Sequence, residues 1–372
     1  MKMLIVSNAP LIQKENNWFA YSPYIKEMEI WAKYTDQVAF CCPTWKIDNG
    51  LLVSKIPFQI SKIFLLSDFN VKTFSNGFKA FFQVIYNFKI ILKAMFWADH
   101  IHLRCPGNVG LLACIVQVFF PHKIKTAKYA GNWDPKSKQP ITYRLQKYIL
   151  SNTFLTKKMQ VLVYGQWKNQ TKNIKPFFTA TYNESDKTEI SSRNFDNGIK
   201  CVFVGTLSSG KRPLFAIQIV EKLLENNCNV ELSIFGEGNQ RELLQNYILD
   251  KKLQKNIILK GNQNLEVVQK VYQNSHFVLL PSQSEGWPKV IAEGMFWGCI
   301  PIATSVSCVP YMLDYGNRGL LLQINLEKDV KTIQELINNE ELYQKKVVNA
   351  VKWSRKYTLD YFEQEIKLLL QL

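Results

Sequence analysis

Between residues 200 and 322, apolar and β-rich runs alternate with helix-length segments. The runs lie at Lys200–Val204, Asn229–Phe235, Asn256–Lys260, His276–Leu280, Ile300–Ala303 and Gly319–Leu322, and Pro213–Glu225 and Asn239–Leu249 are typical of the segments between them. Strands that alternate with helices of this length predict a parallel sheet covered on both faces. The first half has a similar rhythm, with strands expected at Met3–Ser7, Gln37–Cys41, Lys62–Leu66, Asp99–Leu103, Lys123–Tyr129 and Gln160–Val163. A chain of 372 residues is long enough for two cores. The polar, turn-rich stretch 183–198 is the best linker. The expected fold class is therefore α/β, with two Rossmann-like domains over 1–185 and 196–352 and an inter-domain cleft.

Composition narrows the class further. A hydrophobic fraction of 47% fits a globular chain and not a disordered one. The apolar run after Met1 is too short for a signal peptide. The stretch Val109–Pro121, broken by Gln117, falls short of the roughly 20 residues that span a bilayer. The expectation is a cytoplasmic protein, soluble or peripheral on a membrane. The eight cysteines form no CxxC pair and read as reduced and buried. His100 and His102 share one face of a strand, but no further ligands stand near them, so no metal is expected and both read as structural.

The net charge of +16 is uneven. Residues 1–190 hold 25 Lys and Arg against 11 Asp and Glu, a balance of +14, whereas residues 191–372 hold 21 against 19, a balance of +2. A basic half beside a near-neutral half suggests that one domain faces a polyanion: anionic lipid, nucleic acid or an anionic substrate. The segment Phe78–Trp97 adds to this. Its polar residues Lys79, Gln83, Asn87, Lys89 and Lys93 fall on one helical arc. Such a helix covers a sheet or lies on a membrane, and a strand directly after it favours the first.

Four strand ends carry chemistry. After the run His276–Leu280 comes Pro281-Ser-Gln-Ser-Glu285-Gly286-Trp287-Pro288-Lys289-Val290-Ile291-Ala-Glu293. A helix is expected to begin at Pro288, because proline suits the first helical position. The amides of Lys289, Val290 and Ile291 would then lack intrahelical partners and favour a phosphate. Eight helical residues rise about 12 Å, so Glu285 and Glu293 would stand near the two ends of a diphosphate carrying a sugar at each end. In open α/β sheets, ligands bind at such crossings. The second strand end is Gly205-Thr206-Leu-Ser-Ser-Gly-Lys211-Arg212, where glycines allow close approach and two cations would neutralise a diphosphate. The third, Gly236-Glu-Gly238, is a GxG without its third glycine and so is weak by itself. The fourth is Gly261-Asn262, whose backbone would meet a nucleobase.

These blocks, FVGTLSSGKRPL, SIFGEGNQRELL, VLLPSQSEGWPKVIAEGMFWGCIPIATS and VPYMLDYGNRGLLL, together resemble the retaining glycosyltransferases of family 4, of the GT-B fold and the bacterial cell-surface polysaccharide type. The resemblance covers about 200–325 and is loose in the N-terminal half. It implies an acceptor-binding domain over 1–185 and a nucleotide-sugar-binding domain over 196–352. It also implies a C-terminal helix, within 355–372, that crosses back to the first domain. Glu293 would bind the ribose, Glu285 and the backbone of 286–289 the transferred sugar, and Lys211 the diphosphate. Arg212 would replace an arginine that the family commonly has where this chain has Thr206. The first loop, Ser7-Asn8-Ala-Pro10, also lacks the glycine pair often seen there. Asn8, Arg104, Asn132 and Asp134, at strand ends of the basic half, are the acceptor-side candidates.

The implied reaction is metal-independent transfer of a sugar from a nucleotide diphosphate sugar to a glycan or lipid-linked acceptor in polysaccharide synthesis. No cofactor is expected. The base, UDP or GDP, stays open. An anionic membrane surface is a possible partner of the basic half. Two other readings are a nucleotide-sugar epimerase of GT-B fold and a basic nucleic-acid-binding protein. The second lacks any recognition motif, so no nucleic acid is expected.

Overall fold

The computed structural model describes residues 1–48, 50, 52–67 and 77–370, the side chains of 77–81 excepted. The chain divides into two compact units, Met1–Phe177 with Glu363–Leu372, and Phe178–Phe362.

In the first unit the strands are β1 (Lys2–Val6), β2 (Leu11–Lys14), β3 (Asn17–Tyr21), β4 (Gln37–Cys42), β5 (Thr44–Trp45), β6 (Val53–Lys55), β7 (Ile60–Leu65), β8 (His100–Cys105), β9 (Ile124–Tyr129), β10 (Met159–Tyr164) and β11 (Ile174–Phe177). The helices are α1 (Ser22–Ala32), α2 (Gly77–Trp97), α3 (Asn108–Val116) and α4 (Ile141–Ser151). Seven strands form a parallel sheet in the order β11-β10-β9-β8-β1-β4-β7. The central strands are apolar on both faces because both faces are covered, as in β1, where Met3 to Val6 are all buried.

Two features of this unit differ from expectation. The hairpin β2–β3, between β1 and the first helix, is joined by β5 and β6, which follow β4, in a small sheet of order β5-β2-β3-β6 that the sequence did not lead us to expect. In α2, Asn87 is not on the exposed arc. It is fully buried, and its amide pairs with both Ser67 N–H (2.8 Å) and Ser67 O (2.9 Å). Lys89 and Lys93 are exposed as the pattern required, while Ile91, Ala94 and Met95 enter the core. The expectation for Lys79 lies outside the described side chains. Lys123 closes the end of α2 by donating to the carbonyls of Met95 (2.6 Å) and Phe96 (2.9 Å), where the helix dipole favours a cation.

The second unit contains β12 (Ile199–Val204), β13 (Val230–Phe235), β14 (Ile257–Gly261), β15 (Phe277–Leu280), β16 (Ile300–Thr304) and β17 (Leu320–Leu322). Its helices are α5 (Pro213–Glu225), α6 (Arg241–Asp250), α7 (Leu265–Asn274), α8 (Lys289–Phe296), α9 (Val309–Met312), α10 (Leu326–Ile337) and α11 (Glu340–Ser354), followed by α12 (Leu359–Leu370). The sheet is parallel in the order β14-β13-β12-β15-β16-β17. The order reverses between β12 and β15, which makes that pair of strands the switch point of the sheet.

The division of the chain departs from the expected boundaries. The stretch 183–198 lies inside the second unit, and the break falls before it, at Phe177. Its polar residues are spent on local bonds. Asn183 and Asp186 form a capping box around a single turn, Glu184 Oε1 accepts from Thr358 Oγ1 (2.8 Å), and Arg193 Nη1 and Nη2 hold the carbonyls of Ser275 and Trp297. At the other end, residues 355–362 also belong to the second unit. Only Glu363 onward joins the first, where Glu363 meets Lys33 (3.1 Å) and Tyr34 (2.9 Å), and Glu365 meets Lys175 (2.5 Å).

Candidate functional site

All six strands of the second sheet point the same way, so the loops after them share one edge. The loops at this edge are laced by backbone bonds. Gly205 N–H donates to Phe235 O (2.9 Å), Leu207 N–H to Glu237 O (2.9 Å), Gln240 N–H to Leu207 O (3.0 Å) and Gly236 N–H to Gly261 O (2.9 Å). The spacing of these loops dictates the glycines. A Cβ at Gly236 would lie 1.9 Å from Gly205 O, and one at Gly238 would lie 2.3 Å from Leu207 O. Loop packing alone therefore requires both residues of the GxG. Thr206 and Asn262 are exposed at the same edge.

At the switch point the loop after β12 meets the loop after β15. Gln283 N–H donates to Gly210 O (2.8 Å), and Lys211 Nζ lies 2.6 Å from Glu285 Oε1. The lysine side chain is 31% exposed and the glutamate 8%. Arg212 stands beside them in the left-handed region (φ 50, ψ 49), just before Pro213 opens α5, and its Nη1 donates to Pro281 O (3.4 Å). Thus the two cations singled out in one loop both reach the other loop, one to a carboxylate and one to a carbonyl.

The helix after this loop starts one residue later than expected. Pro288 is the N-cap (φ −73, ψ 92), α8 begins at Lys289, and Ile291 N–H already donates to Pro288 O (3.0 Å). The tight first turn occupies an amide that the sequence left for a ligand. Val290, like Lys289, is half-buried in that turn, and Ile291 is fully buried. Gly286 O is held by Cys308 Sγ (3.0 Å) and Ser307 Oγ (3.4 Å), residues with no motif to flag them. Trp287 is packed, not displayed. It stacks on Trp353 (6.0 Å, 27°) and meets Tyr357 edge-on (5.6 Å).

Glu293 is half-buried on α8. Its Oε1 accepts from Thr181 Oγ1 (2.7 Å), and its Oε2 accepts from Tyr272 OH (3.4 Å). A small crevice of about 10 Å³ beside it is lined by Thr179, Thr181, Lys289 and Tyr357 among others. Burial first, and then the Glu293 charge, push the Tyr272 and Tyr182 phenols well above their ordinary range. The two glutamates of the motif share none of these partners: Glu285 turns to Lys211, Glu293 to two hydroxyls.

In the first unit the four acceptor-side candidates separate. Asn8 is exposed. Asn132 Oδ1 accepts from Asp134 N–H (2.9 Å) and Asp134 Oδ1 from Lys136 N–H (2.8 Å), so both carboxamide and carboxylate shape their own turn. Arg104 Nη1 lies 3.5 Å from Glu27 Oε2 and its guanidinium covers the Tyr24 ring at 4.7 Å. Glu27 Oε1 is also 2.6 Å from Lys128 Nζ, and both of these side chains are buried. Nothing local in the sequence marks Glu27, because its lysine partner is 101 residues away. His100 Nε2 and His102 Nδ1 both lie 2.9 Å from Thr126 Oγ1, as structural histidines do, and all eight cysteines are free thiols.

Two units with parallel, doubly covered sheets, one with its candidate loops at a switch point, define the GT-B fold. The solved structure of HepE from Anabaena in complex with UDP superposes over 100% of this chain and 99% of its own, with a TM-score of 0.66 at 14% identity, a likeness of fold. Residues 185–353 match the family model described as glycosyl transferases group 1, which places this region in the glycosyltransferase superfamily.

Among curated relatives, a poly(glycerol-phosphate) alpha-glucosyltransferase of Bacillus subtilis is 30% identical over 171 residues, 43% of this chain and 24% of that one. The UDP-Gal:alpha-D-GlcNAc-diphosphoundecaprenol alpha-1,3-galactosyltransferase of Escherichia coli is 24% identical over 260 residues, covering 64% of this chain and 65% of that one. The chain spans only 24–47% of the length of the curated relatives matched at 30–32% identity.

Proposed function

We propose that the chain is a retaining, metal-independent glycosyltransferase. It moves a sugar from a nucleotide diphosphate sugar to a glycan or lipid-linked acceptor in cell-envelope polymer synthesis. The observation that carries this reading is the Lys211–Glu285 pair at the switch point, inside the region that matches group 1 glycosyl transferases. Without a donor, each group satisfies the other. With a donor bound, Lys211 turns to the diphosphate and Glu285 accepts from hydroxyls of the transferred sugar. Glu293 exchanges the Thr181 hydroxyl for those of the ribose.

As the anomeric C–O bond to phosphate breaks, the acceptor oxygen attacks from the same face and its proton passes to the leaving phosphate oxygen. The products are a glycoside of retained configuration and a nucleoside diphosphate. Lys211, Arg212 and the start of α8 stabilise the charge that grows on that diphosphate. A uridine donor is the favoured one, since the Escherichia coli relative is named for UDP-Gal and HepE is solved with UDP. The acceptor names of the relatives, a poly(glycerol-phosphate) and a diphosphoundecaprenol, are anionic, which suits the basic balance of residues 1–190. A peripheral position on the inner face of the membrane follows from such an acceptor.

Calorimetry with UDP-, GDP- and ADP-sugars tests the donor half, and the anomeric coupling constant of the product tests retention. Saturable binding of one nucleotide sugar, weakened at least tenfold by Lys211→Ala, is expected. A donor that binds wild type and Lys211→Ala equally well would contradict the site, and an inverted product would contradict the mechanism. Conversion of the donor sugar without any acceptor would instead indicate an epimerase.

A further inference from the structure

A cavity in the first unit lies at the opposite edge of its sheet from Asn8, Arg104, Asn132 and Asp134. It opens at the amino ends of β9, β10 and β11, between the loop that leads into β10 and the last turns of α12. Its volume is about 600 Å³, within the roughly 300–1,000 Å³ of small-molecule sites. Four of its lining residues are Lys125, Lys157, Lys158 and Lys172, and none is Asp or Glu.

None of the four lysines enters an ion pair among the described residues. Lys125 is 1% exposed, and its Nζ is held only by carbonyls, Phe120 O at 2.8 Å and Gln117 O at 3.3 Å. Burial pushes its ammonium down to about 8, the mark of a cation without a counter-charge. Thr153 and Thr156 add hydroxyls to the wall. Lys157, Lys158 and Lys172 are exposed at the rim of this cavity, where their positive charge favours an anion. Lysine ammonium groups suit phosphate as point charges. The mouth is not wholly polar: Phe154, next to Thr153, is 75% exposed with Lys157 Nζ 5.2 Å from its ring centroid, and Leu368, next to Leu369, is 56% exposed.

We propose that this cavity is a second ligand site, separate from the switch-point loops, which binds a phosphate ester through Lys157, Lys158 and Lys172. The ester is either a soluble small molecule or the headgroup of an anionic lipid, and the exposed Phe154 beside the mouth suits a ligand with an apolar part. The site does not depend on the proposed sugar transfer, since none of its residues belongs to that reading.

Two measurements on the full chain distinguish the sources. Calorimetry with inorganic pyrophosphate reads the soluble arm. Flotation with phosphatidylglycerol vesicles, against phosphatidylcholine vesicles, reads the lipid arm. The variants are Lys157→Gln/Lys172→Gln in the cavity, Lys26→Gln/Lys46→Gln as an equal loss of charge elsewhere in the unit, and Lys211→Ala at the switch point. The calorimetric arm is read in the Lys211→Ala background, so that pyrophosphate at the switch point does not enter it, and there or in the vesicle arm the cavity pair is expected to lose at least tenfold while Lys26→Gln/Lys46→Gln keeps the binding of its parent. Loss in the calorimetric arm assigns a soluble ester, and loss in the vesicle arm assigns a headgroup. Equal losses in the two double variants would reduce the effect to net charge and overturn the proposal. Pyrophosphate binding that vanishes only with Lys211→Ala, or cavity variants unchanged in both arms, would overturn it as well.

Discussion

Lys211 Nζ and Glu285 Oε1 lie 2.6 Å apart across the switch point of the second sheet, 74 residues apart in sequence. The glutamate side chain is 8% exposed, and the lysine supplies the cation that faces it. Removing the lysine therefore has two separable effects. Lys211→Ala should cost about 1–3 kcal/mol of stability, since a buried carboxylate is left short of a partner. It should also lower turnover by about a hundredfold or more, as loss of a charge-stabilising donor does. Lys211→Gln/Glu285→Gln should recover most of the stability and none of the turnover. Urea unfolding beside a sugar-transfer assay reads both. Recovery of activity in the double variant would mean that the pair is structural only.

The glycines of the loop after β13 make a sharper prediction, because the obstacle is backbone. Gly236→Ala would set a Cβ 1.9 Å from Gly205 O, and Gly238→Ala one 2.3 Å from Leu207 O. Neither carbonyl can move without breaking the bonds that tie the loops after β12 and β13. Each substitution should cost about 2–4 kcal/mol. Gly210→Ala, which meets nothing within 4 Å, is the control and should leave the melting temperature nearly unchanged. Equal melting temperatures for Gly236→Ala and Gly210→Ala would show that the loops are not packed this way.

In the first unit a single buried carboxylate serves two cations. Glu27 Oε1 is 2.6 Å from Lys128 Nζ, and Glu27 Oε2 is 3.5 Å from Arg104 Nη1. Glu27→Gln takes the carboxylate from beside a lysine side chain that is 1% exposed, at a cost of about 3–5 kcal/mol. Glu27→Gln/Lys128→Met should regain a substantial part of that loss, since it removes the buried ammonium as well. Denaturant midpoints for the two variants decide it: if the double variant falls below the single one, the cost lies elsewhere than in the charge.

The parallel sheets were legible because covering both faces makes whole strands apolar. All six strands expected in the second unit occur where the runs of Val, Ile, Leu and Phe stand. The hairpin β2–β3 was not legible: its strands are short, and Gln13, Lys14 and Asn17 are not buried, so neither run nor alternation stands out. Pro176 hid β11, a strand that tolerates proline because it lies at the sheet edge. Asn87 followed the polar arc of α2 and still turned inward, because Ser67 offers both a donor and an acceptor to its amide. Within the candidate site, Lys211, Glu285 and Glu293 were singled out by motif. Their partners were not, since pairing across loops leaves no local pattern in the chain.

The pair His100 and His102 ties stability to pH in a direction that can be worked out. One hydroxyl, Thr126 Oγ1, lies 2.9 Å from His100 Nε2 and from His102 Nδ1, and it has a single proton. It donates to one ring and accepts from the other, an arrangement that suits two neutral imidazoles of complementary tautomer. The outer nitrogens, His100 Nδ1 and His102 Nε2, are buried with no hydrogen-bond partner among the described residues, so either ring as an imidazolium would hold an outer N–H with no acceptor. Burial accordingly pushes His100 down to about 4 and His102 to about 3. The unfolded chain takes up these protons near pH 6.5 while the folded chain resists until about pH 4. Stability contributed by neutral burial is thus complete above pH 6.5 and drains away as pH falls towards 4. By pH 5 the loss should reach about 2 kcal/mol per histidine. Carboxylates also titrate below pH 5, so the comparison is between wild type and the single variants His100→Gln and His102→Gln, each unfolded in urea at pH 7.5 and pH 5. Each variant should start less stable at pH 7.5 and lose about 2 kcal/mol less than wild type on acidification. An identical loss in wild type and both variants would mean that neither ring is kept neutral by the fold.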